Sequence, residues 1–246
     1  MKVAVISEKG LRPEMEDTYF LDLNFADRGW IFGGIYDGHG GRFAAEYASK
    51  RLHQIFLGKL LSGSSPGEAF IESYETTSEE LKNQDSGTTA VNFFIRDKEI
   101  FTANVGDARA LVINNAEFRQ LTVDHRLENM EERKRVEEMG GHIRYPYVYR
   151  GYLGLMPTRT IGDQYFKPVG VIATPSVSKY KVAEDDLVLL AACDGLFDVM
   201  TNGEVSEFAM RFSQPDSLLE ALKHEVLLNR FGTDNLTIIV VFLKQD

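Results

Sequence analysis

Apolar and polar positions along the chain fall into short blocks with two distinct spacings. Alternating or continuous apolar runs, rich in β-branched and aromatic residues, occur at 2–7, 18–24, 30–36, 88–95, 99–105, 108–113, 187–193 and 236–242, and each predicts a strand. Several are joined by connections too short for a crossover helix, such as Asn114-Asn115 and Arg96-Asp97-Lys98, so these neighbours run antiparallel. The longer blocks have helical spacing. In 42–61, Phe43, Tyr47, Leu52, Ile55, Phe56 and Leu60 share a broad face, and in 66–83 Phe70, Tyr74 and Leu81 do, with Ser65 as N-cap and Pro66 in first position. Further helices are predicted over about 203–212 and 216–229, and a short one over 129–139 stops at Gly140-Gly141. Strands and helices are segregated rather than strictly alternating, which predicts an α+β fold. No linker, composition break or internal repeat divides the chain, so one domain is expected over 1–246.

Composition narrows the function. With 43% hydrophobic and 26% charged residues this is neither a disordered nor a collagen-like chain. Lys and Arg number 27 against 37 Asp and Glu, a net charge of −10, the wrong sign for tracking nucleic acid phosphates. Cys193 is the lone cysteine and fits a reducing compartment. The opening run Val3 to Ile6 is too short for a signal peptide core, and no apolar run approaches the roughly 18 residues of a membrane span. The expectation is an intracellular protein, cytoplasmic or nuclear, monomeric, and without a membrane or nucleic acid partner.

The carboxylates carry the chemistry. The run Trp30 to Tyr36 ends in Asp37-Gly38-His39-Gly40-Gly41, and Leu187 to Cys193 ends in Asp194-Gly195. Asp234-Asn235 precedes the run Leu236 to Phe242, and Glu16-Asp17 precedes Thr18 to Leu21. If these strands are antiparallel neighbours, the end of one and the start of the next share a rim, and four acidic sites converge. Clustered carboxylates beside buried strands must take up protons or bind a cation. An all-oxygen donor set suits Mg²⁺ or Mn²⁺ rather than zinc or copper. Two ions sharing a carboxylate would also acidify a bridging water for attack on phosphorus. Any one Asp-Gly pair alone is an ordinary turn signal; the constellation is what points to a site.

Several blocks, in order, resemble the metal-dependent protein serine/threonine phosphatases, the PPM or type 2C class. They are Gly10-Leu11-Arg12-Pro13-Glu14-Met15-Glu16-Asp17, Tyr36-Asp37-Gly38-His39-Gly40-Gly41, Ser86-Gly87-Thr88-Thr89-Ala90, Asn104-Val105-Gly106-Asp107-Ala108-Arg109-Ala110, Leu121-Thr122-Val123-Asp124-His125-Arg126, Arg159-Thr160-Ile161-Gly162-Asp163, Ala192 to Met200 and Asp234-Asn235-Leu236-Thr237. The resemblance implies a sandwich of two packed antiparallel sheets flanked by helices, with metals in a cleft at one end. It implies hydrolysis of phosphoserine and phosphothreonine in proteins by in-line attack of a water or hydroxide bridging two ions. By the same resemblance Asp37 bridges the ions and the Gly38 carbonyl joins the shell. Asp194 and Asp234 serve one ion and Glu16 the other, largely through water, with Asp17 beside it. Asp124 with Asp194 would hold a weaker third ion. Arg12 matches a phosphate-gripping arginine and His39 a general acid, a task suited to an imidazole. Asp107, Asp163 and Asp198 are expected to hold turns and arginines, with Arg109 and Arg159 as partners.

Other features carry plainer readings. Cys193 is expected to be a small buried strand residue, since it is not part of the His-Cys pair with an arginine six residues on that marks cysteine phosphatases. His53, His142 and His224 lack paired metal-ligand spacing. Tyr145, Tyr147, Tyr149 and Tyr152 could form a substrate-facing wall, since 145, 147 and 149 share one face of a strand, but cross-strand packing is the expectation. Asn235-Leu236-Thr237 matches a glycosylation sequon but enters a buried strand. The alternative function is a pseudophosphatase acting as a binding or regulatory module. Such a protein would normally have lost a metal acid or the arginine, and here Arg12, Glu16, Asp37, Asp124, Asp194 and Asp234 are all present.

Overall fold

Strands that are apolar on both faces must be covered on both, and the chain does this by packing two antiparallel sheets against each other and helices on their outsides. The computed structural model describes residues 1–244; 245 and 246, the last two of the predicted 1–246 domain, lie outside the described residues. The first sheet has the order β1 (Lys2–Glu8), β16 (Leu236–Phe242), β15 (Asp186–Ala192), β8 (Arg109–Asn114) and β9 (Phe118–Gln120). The second runs β14 (Ser176–Lys181), β7 (Glu99–Val105), β6 (Ala90–Arg96), β3 (Trp30–Tyr36) and β2 (Thr18–Phe25). Two small sheets lie nearer the site: β13 (Ile161–Gly162), β5 (Gly87–Thr88) and β4 (Gly38–His39), and β10 (His142–Arg144), β11 (Tyr147–Arg150) and β12 (Leu153–Leu155).

Alternation along each central strand builds the layers. Leu189 and Ala191 of β15, Ile239 and Val241 of β16, and Val91 and Phe93 of β6 point between the sheets. Val188, Leu190, Ile238 and Val240 point outward beneath α5 (Asn202–Ala209) and α6 (Pro215–His224), whose Val205, Leu218 and Leu222 close that side. On the opposite side Phe32, Tyr36 and Phe94 meet Leu52 and Phe56 of α1 (Phe43–Leu61) and Phe70 and Tyr74 of α2 (Pro66–Glu80). The α2 terminus is fixed by a capping box between Ser65 and Glu68. The short helices α3 (Met130–Glu138) and α4 (Asp194–Phe197) complete the set, and a π turn over Glu225–Asn229 extends α6 through the predicted helix.

The predicted elements all exist, with two local differences. The strand expected at 88–95 is divided at Thr89, whose N–H donates to the Asp37 carbonyl at 2.9 Å instead of a ladder. Segments 142–155 and 176–181 are strands that hydrophobic patterning did not mark, because both are half exposed and carry Arg, Lys and Ser. Among the described residues no helix is long and apolar enough to cross a membrane.

Candidate active site

Antiparallel pairing brings the acidic strand ends together. β2 pairs β3 and β15 pairs β16, so Glu16-Asp17 before β2 lies beside Asp37 after β3, and Asp234 before β16 lies beside Asp194 after β15. A cavity of about 290 Å³ opens on this rim, lined by Arg12, Glu16, Asp37, Gly38, His39, Asp194 and Asp234 of the predicted set. Thr89, Asp107 and Asn235 also line it, and Tyr147, Gly154 and Leu155 of the small β10–β12 sheet form a wall with Met156 and Pro157 that follow it. A larger cavity of about 450 Å³ touches Met1, Ile95 and Leu243, and the acid cluster contributes nothing to its lining.

Glycine after each central aspartate is required by close approach. A Cβ on Gly38 would stand 2.7 Å from the Glu16 carbonyl oxygen, and one on Gly195 1.9 Å from that of Asn235. Either substitution would push apart the backbones that carry the acids. Asn235 ties the same segments together: its side-chain amide donates to the Lys9 and Glu14 carbonyls at 2.7 and 3.0 Å and accepts from the Glu16 N–H at 2.8 Å. That use of a buried side chain also disposes of the sequon. The Gly41 N–H in turn donates to Glu16 Oε1 at 2.7 Å.

The cluster is electrostatically unbalanced. Burial, followed by the charges of Asp17 and Asp194, raises the Asp37 carboxyl well above its ordinary range. Burial and the charges of Asp107, Asp198 and Asp234 raise Asp194 to about 8, and burial raises Asp17 to about 6. Asp17 Oδ2 accepts from Thr237 Oγ1 at 2.7 Å, whereas its buried Oδ1 has no partner. Two arginines lean into the cluster. Arg12 Nη2 donates to Asp234 at 2.5 Å, and Arg126 donates to Asp107 at 2.5 Å and Asp198 at 3.0 Å, with Asp194 at 3.5 Å. As the side chains stand, no three His, Cys, Asp or Glu groups among the described residues surround a single point. A divalent ion would compete with these guanidiniums for the same oxygens. Buried carboxylates short of positive charge, an orphaned carboxylate oxygen and an all-oxygen donor set fit Mg²⁺ or Mn²⁺.

Two predicted ligands, Asp17 and Asp124, stand off the cavity lining, and Asp124 is the one held by an arginine. It does not line the cavity; both its oxygens accept from Arg109 Nε at 2.9 Å, and one from Nη2 at 2.7 Å. Gln120 donates to it at 3.2 Å, and Arg109 also reaches Asn202 at 3.0 Å and stacks over Phe197 at 4.9 Å. Asp124 is therefore neutralised while tying β8 and β9 to α5, and Asp107 is the acid beside Asp194. The expected pairings shift accordingly: Asp107 and Asp198 pair with Arg126, and Arg159 pairs with Glu132 at 2.7 Å.

His39 has a built partner. Its Nε2 lies 2.7 Å from Asp163 Oδ2, and Asp163 holds a left-handed conformation, φ 49°, directly after Gly162 at φ 82°. A Cβ on Gly87 would fall 2.0 Å from that same carboxylate oxygen. Three backbone positions thus serve one carboxylate behind one imidazole. Burial opposes the imidazolium, but the Asp163 charge and hydrogen bond outweigh it and raise the His39 pKa. Lys167 lies behind, bonded to Thr160, with burial lowering its ammonium to about 8 against the pull of Asp163.

Sequence reasoning missed Asp107, Asp163 and Thr89 as site residues, although all three lie in blocks it singled out. Thr89 is 4% exposed with an unpartnered Oγ1, and it lines the cavity. Cys193 is buried, bonded to Asn235 and Thr237, and its thiol pKa is pushed up by burial and the surrounding acids. It is no nucleophile.

The family model described as Protein phosphatase 2C matches residues 1–229. Among curated proteins, Protein phosphatase 2C homolog 1 of Saccharomyces cerevisiae is 30% identical across 98% of this chain and 93% of its own length. The probable mitochondrial protein phosphatase 2C member 13 of Oryza sativa is 33% identical across 100% of this chain and 69% of its own. Among solved structures, the serine-threonine phosphatase 2C of Toxoplasma gondii superposes with a TM-score of 0.85 at 23% identity, covering 98% of this chain and 94% of that one. Strand-end acids on the rim of a two-sheet sandwich, matched over nearly its whole length, place this chain in the protein phosphatase 2C family of protein serine/threonine phosphatases.

Proposed function

We propose that this chain hydrolyses phosphoserine and phosphothreonine esters by a single in-line displacement, without a phosphoenzyme, at the acid-lined cavity. The observation that supports it most is the gathering of Asp37, Asp194, Asp234 and Glu16 on one half-buried rim with too few cations of its own. Asp37, the Gly38 carbonyl, Glu16, Asp194 and Asp234 would hold two divalent ions, with Asp17 supporting from beneath and Asp107 in the place expected for Asp124. Bound there, the ions supply a water acidified enough to attack phosphorus.

The chain's own groups do the rest. Arg12 has a side chain that is 55% exposed and bonded to Asp234 through Nη2 alone, so its other donors take phosphate oxygens. As the water oxygen bonds to phosphorus and the ester bond breaks, the departing serine or threonine oxygen needs a proton. His39 supplies it. With both ring nitrogens protonated, Nε2–H is committed to Asp163, which leaves the Nδ1 proton for the leaving group. Asp163 acts as a positioning residue.

Steady-state phosphate release from a phosphothreonine peptide tests these roles. Arg12→Ala should raise KM about tenfold, the worth of a charge-assisted bond. Asp163→Asn should lower kcat on the peptide by about 10²-fold but far less on p-nitrophenyl phosphate, whose leaving group needs no proton. Equal losses on both substrates would remove the general-acid assignment.

A further inference from the structure

The β10–β12 sheet has two unlike faces. Ile143, Val148 and Leu155 form one cross-strand row, pointing inward to pack with Leu127, Val136 and Phe166. The opposite face carries His142, Tyr149 and Gly154 in one row and Arg144 with Tyr147 in the next. It is open to solvent, and its side chains pack on one another. Tyr149 lies over Gly154, where a Cβ would stand 2.9 Å from the ring. Tyr147 meets Tyr149 edge-on at 6.2 Å, and Arg144 stacks over Tyr149 at 5.6 Å while donating to His142 at 3.1 Å.

This face runs into the catalytic cavity, because Tyr147 and Gly154 line both. Its charge is out of keeping with the chain. The 24 residues from Met139 to Gly162 include three arginines and no carboxylate, in a protein with 37 acids and a net charge of −10. Arg159 is neutralised by Glu132, whereas Arg144 makes no ion pair among the described residues. Rigid tyrosines around an unpaired arginine are what protein recognition sites favour, since little side-chain entropy is lost on contact.

We propose that this outer face docks the polypeptide flanking the phosphorylated residue, and that Arg144 selects substrates carrying Asp or Glu in that flank. The proposal rests on the phosphatase reading above and specifies its substrates. Arg144 is the cross-strand neighbour of cavity-lining Tyr147, so an extended substrate at about 3.3 Å per residue brings the selected acid roughly two to four residues from the phosphoresidue. The tyrosine rings would hold the peptide backbone across Gly154, where no side chain stands in the way.

The test compares kcat/KM for paired phosphothreonine peptides, one with Asp and Glu at those positions and the other with Asn and Gln. Each value is taken relative to p-nitrophenyl phosphate, which has no flank. The acidic peptide should be preferred about fivefold at low ionic strength, through KM, with the preference fading in salt. Arg144→Glu should abolish or invert it, and Arg144→Lys should restore part of it. Arg28→Glu makes the same charge change in the turn joining β2 to β3 and should leave the preference intact. Equal use of both peptides, a preference that survives Arg144→Glu, or one lost equally in Arg28→Glu would overturn the proposal. Absence of metal-dependent release from every substrate would instead sink the phosphatase reading itself.

Discussion

Two buried carboxylate sites in this protein show opposite electrostatics. Glu132 on α3 is 1% exposed. Burial alone would raise its pKa, but Arg135, Arg159 and Thr158, all donating within 3.0 Å, hold it down to about 2. Asp194 is less enclosed, its side chain 22% exposed, and is pushed up to about 8 by burial and its acidic neighbours, with Arg126 at 3.5 Å in opposition. The first site carries its own counter-charge and locks α3 to the segment that leads to Asp163. The second lacks a matching set, so its acids either keep protons or take a cation from outside the chain.

Replacing acids one at a time breaks this comparison most sharply. Asp37→Asn or Asp194→Asn should cost about 10³-fold or more in turnover, the worth of several kcal/mol of transition-state stabilisation by metal. The metal-free Asp194→Asn protein should nevertheless melt higher than metal-free wild type, because the substitution removes the cost of holding a proton on a carboxyl that the unfolded chain ionises. Glu132→Gln should do the reverse. Leaving Arg135 and Arg159 unpaired should cost about 3–5 kcal/mol of stability, with metal affinity little changed, as read by denaturant melts and calorimetry. A melting point for metal-free Asp194→Asn below that of wild type would mean the cluster is balanced by its own arginines.

pH separates the two sites next. In the metal-free protein Asp17 and Asp194 retain protons up to about 6 and about 8, whereas the unfolded chain releases them near pH 4. The native state then binds more protons, so this contribution to stability falls as pH rises from about 4 to 8. Glu132 behaves oppositely: its contribution is present above the unfolded pKa and disappears as pH falls toward 2. Thermal melts of the metal-free protein should therefore decline between pH 5 and 8, and Mn²⁺ should raise the melting point most at the alkaline end. A melting point that rises over that range without metal would contradict the assignment.

The smallest contrast lies between Asp107 and Asp124. Asp107→Asn should lower activity at limiting metal. Asp124→Asn should leave kcat within about twofold but loosen the β8–β9 hairpin, costing about 1–3 kcal/mol. Equal kinetic losses in both variants would restore Asp124 to the site.

The sequence read well where local rules and tertiary placement agree. Strand-end acids followed by glycine marked the rim, because antiparallel pairing of β2 with β3 and β15 with β16 converts sequence position directly into proximity. It read poorly where partners are exchanged across loops. Asp107 and Arg109 are neighbours in sequence, as are Asp124 and Arg126, yet the fold pairs Asp107 with Arg126 and Asp124 with Arg109. Nothing local specifies that swap; it follows from the His125 N–H bonding to the Gly106 carbonyl, which sets the two loops side by side. The β10–β12 sheet and β14 escaped for a different reason. Only half of each faces a core, and short exposed strands bear too few apolar residues to show a period. The role of Asp163 was hidden by its distance in sequence from His39.

The most direct test of the central claim is phosphate release from a phosphothreonine peptide by the purified protein, measured against Mn²⁺ concentration and with excess EDTA, alongside Asp194→Asn. The account predicts turnover that rises to saturation with metal, vanishes in EDTA and is lost in the variant. Full turnover in EDTA, or near-native turnover by Asp194→Asn, would contradict it.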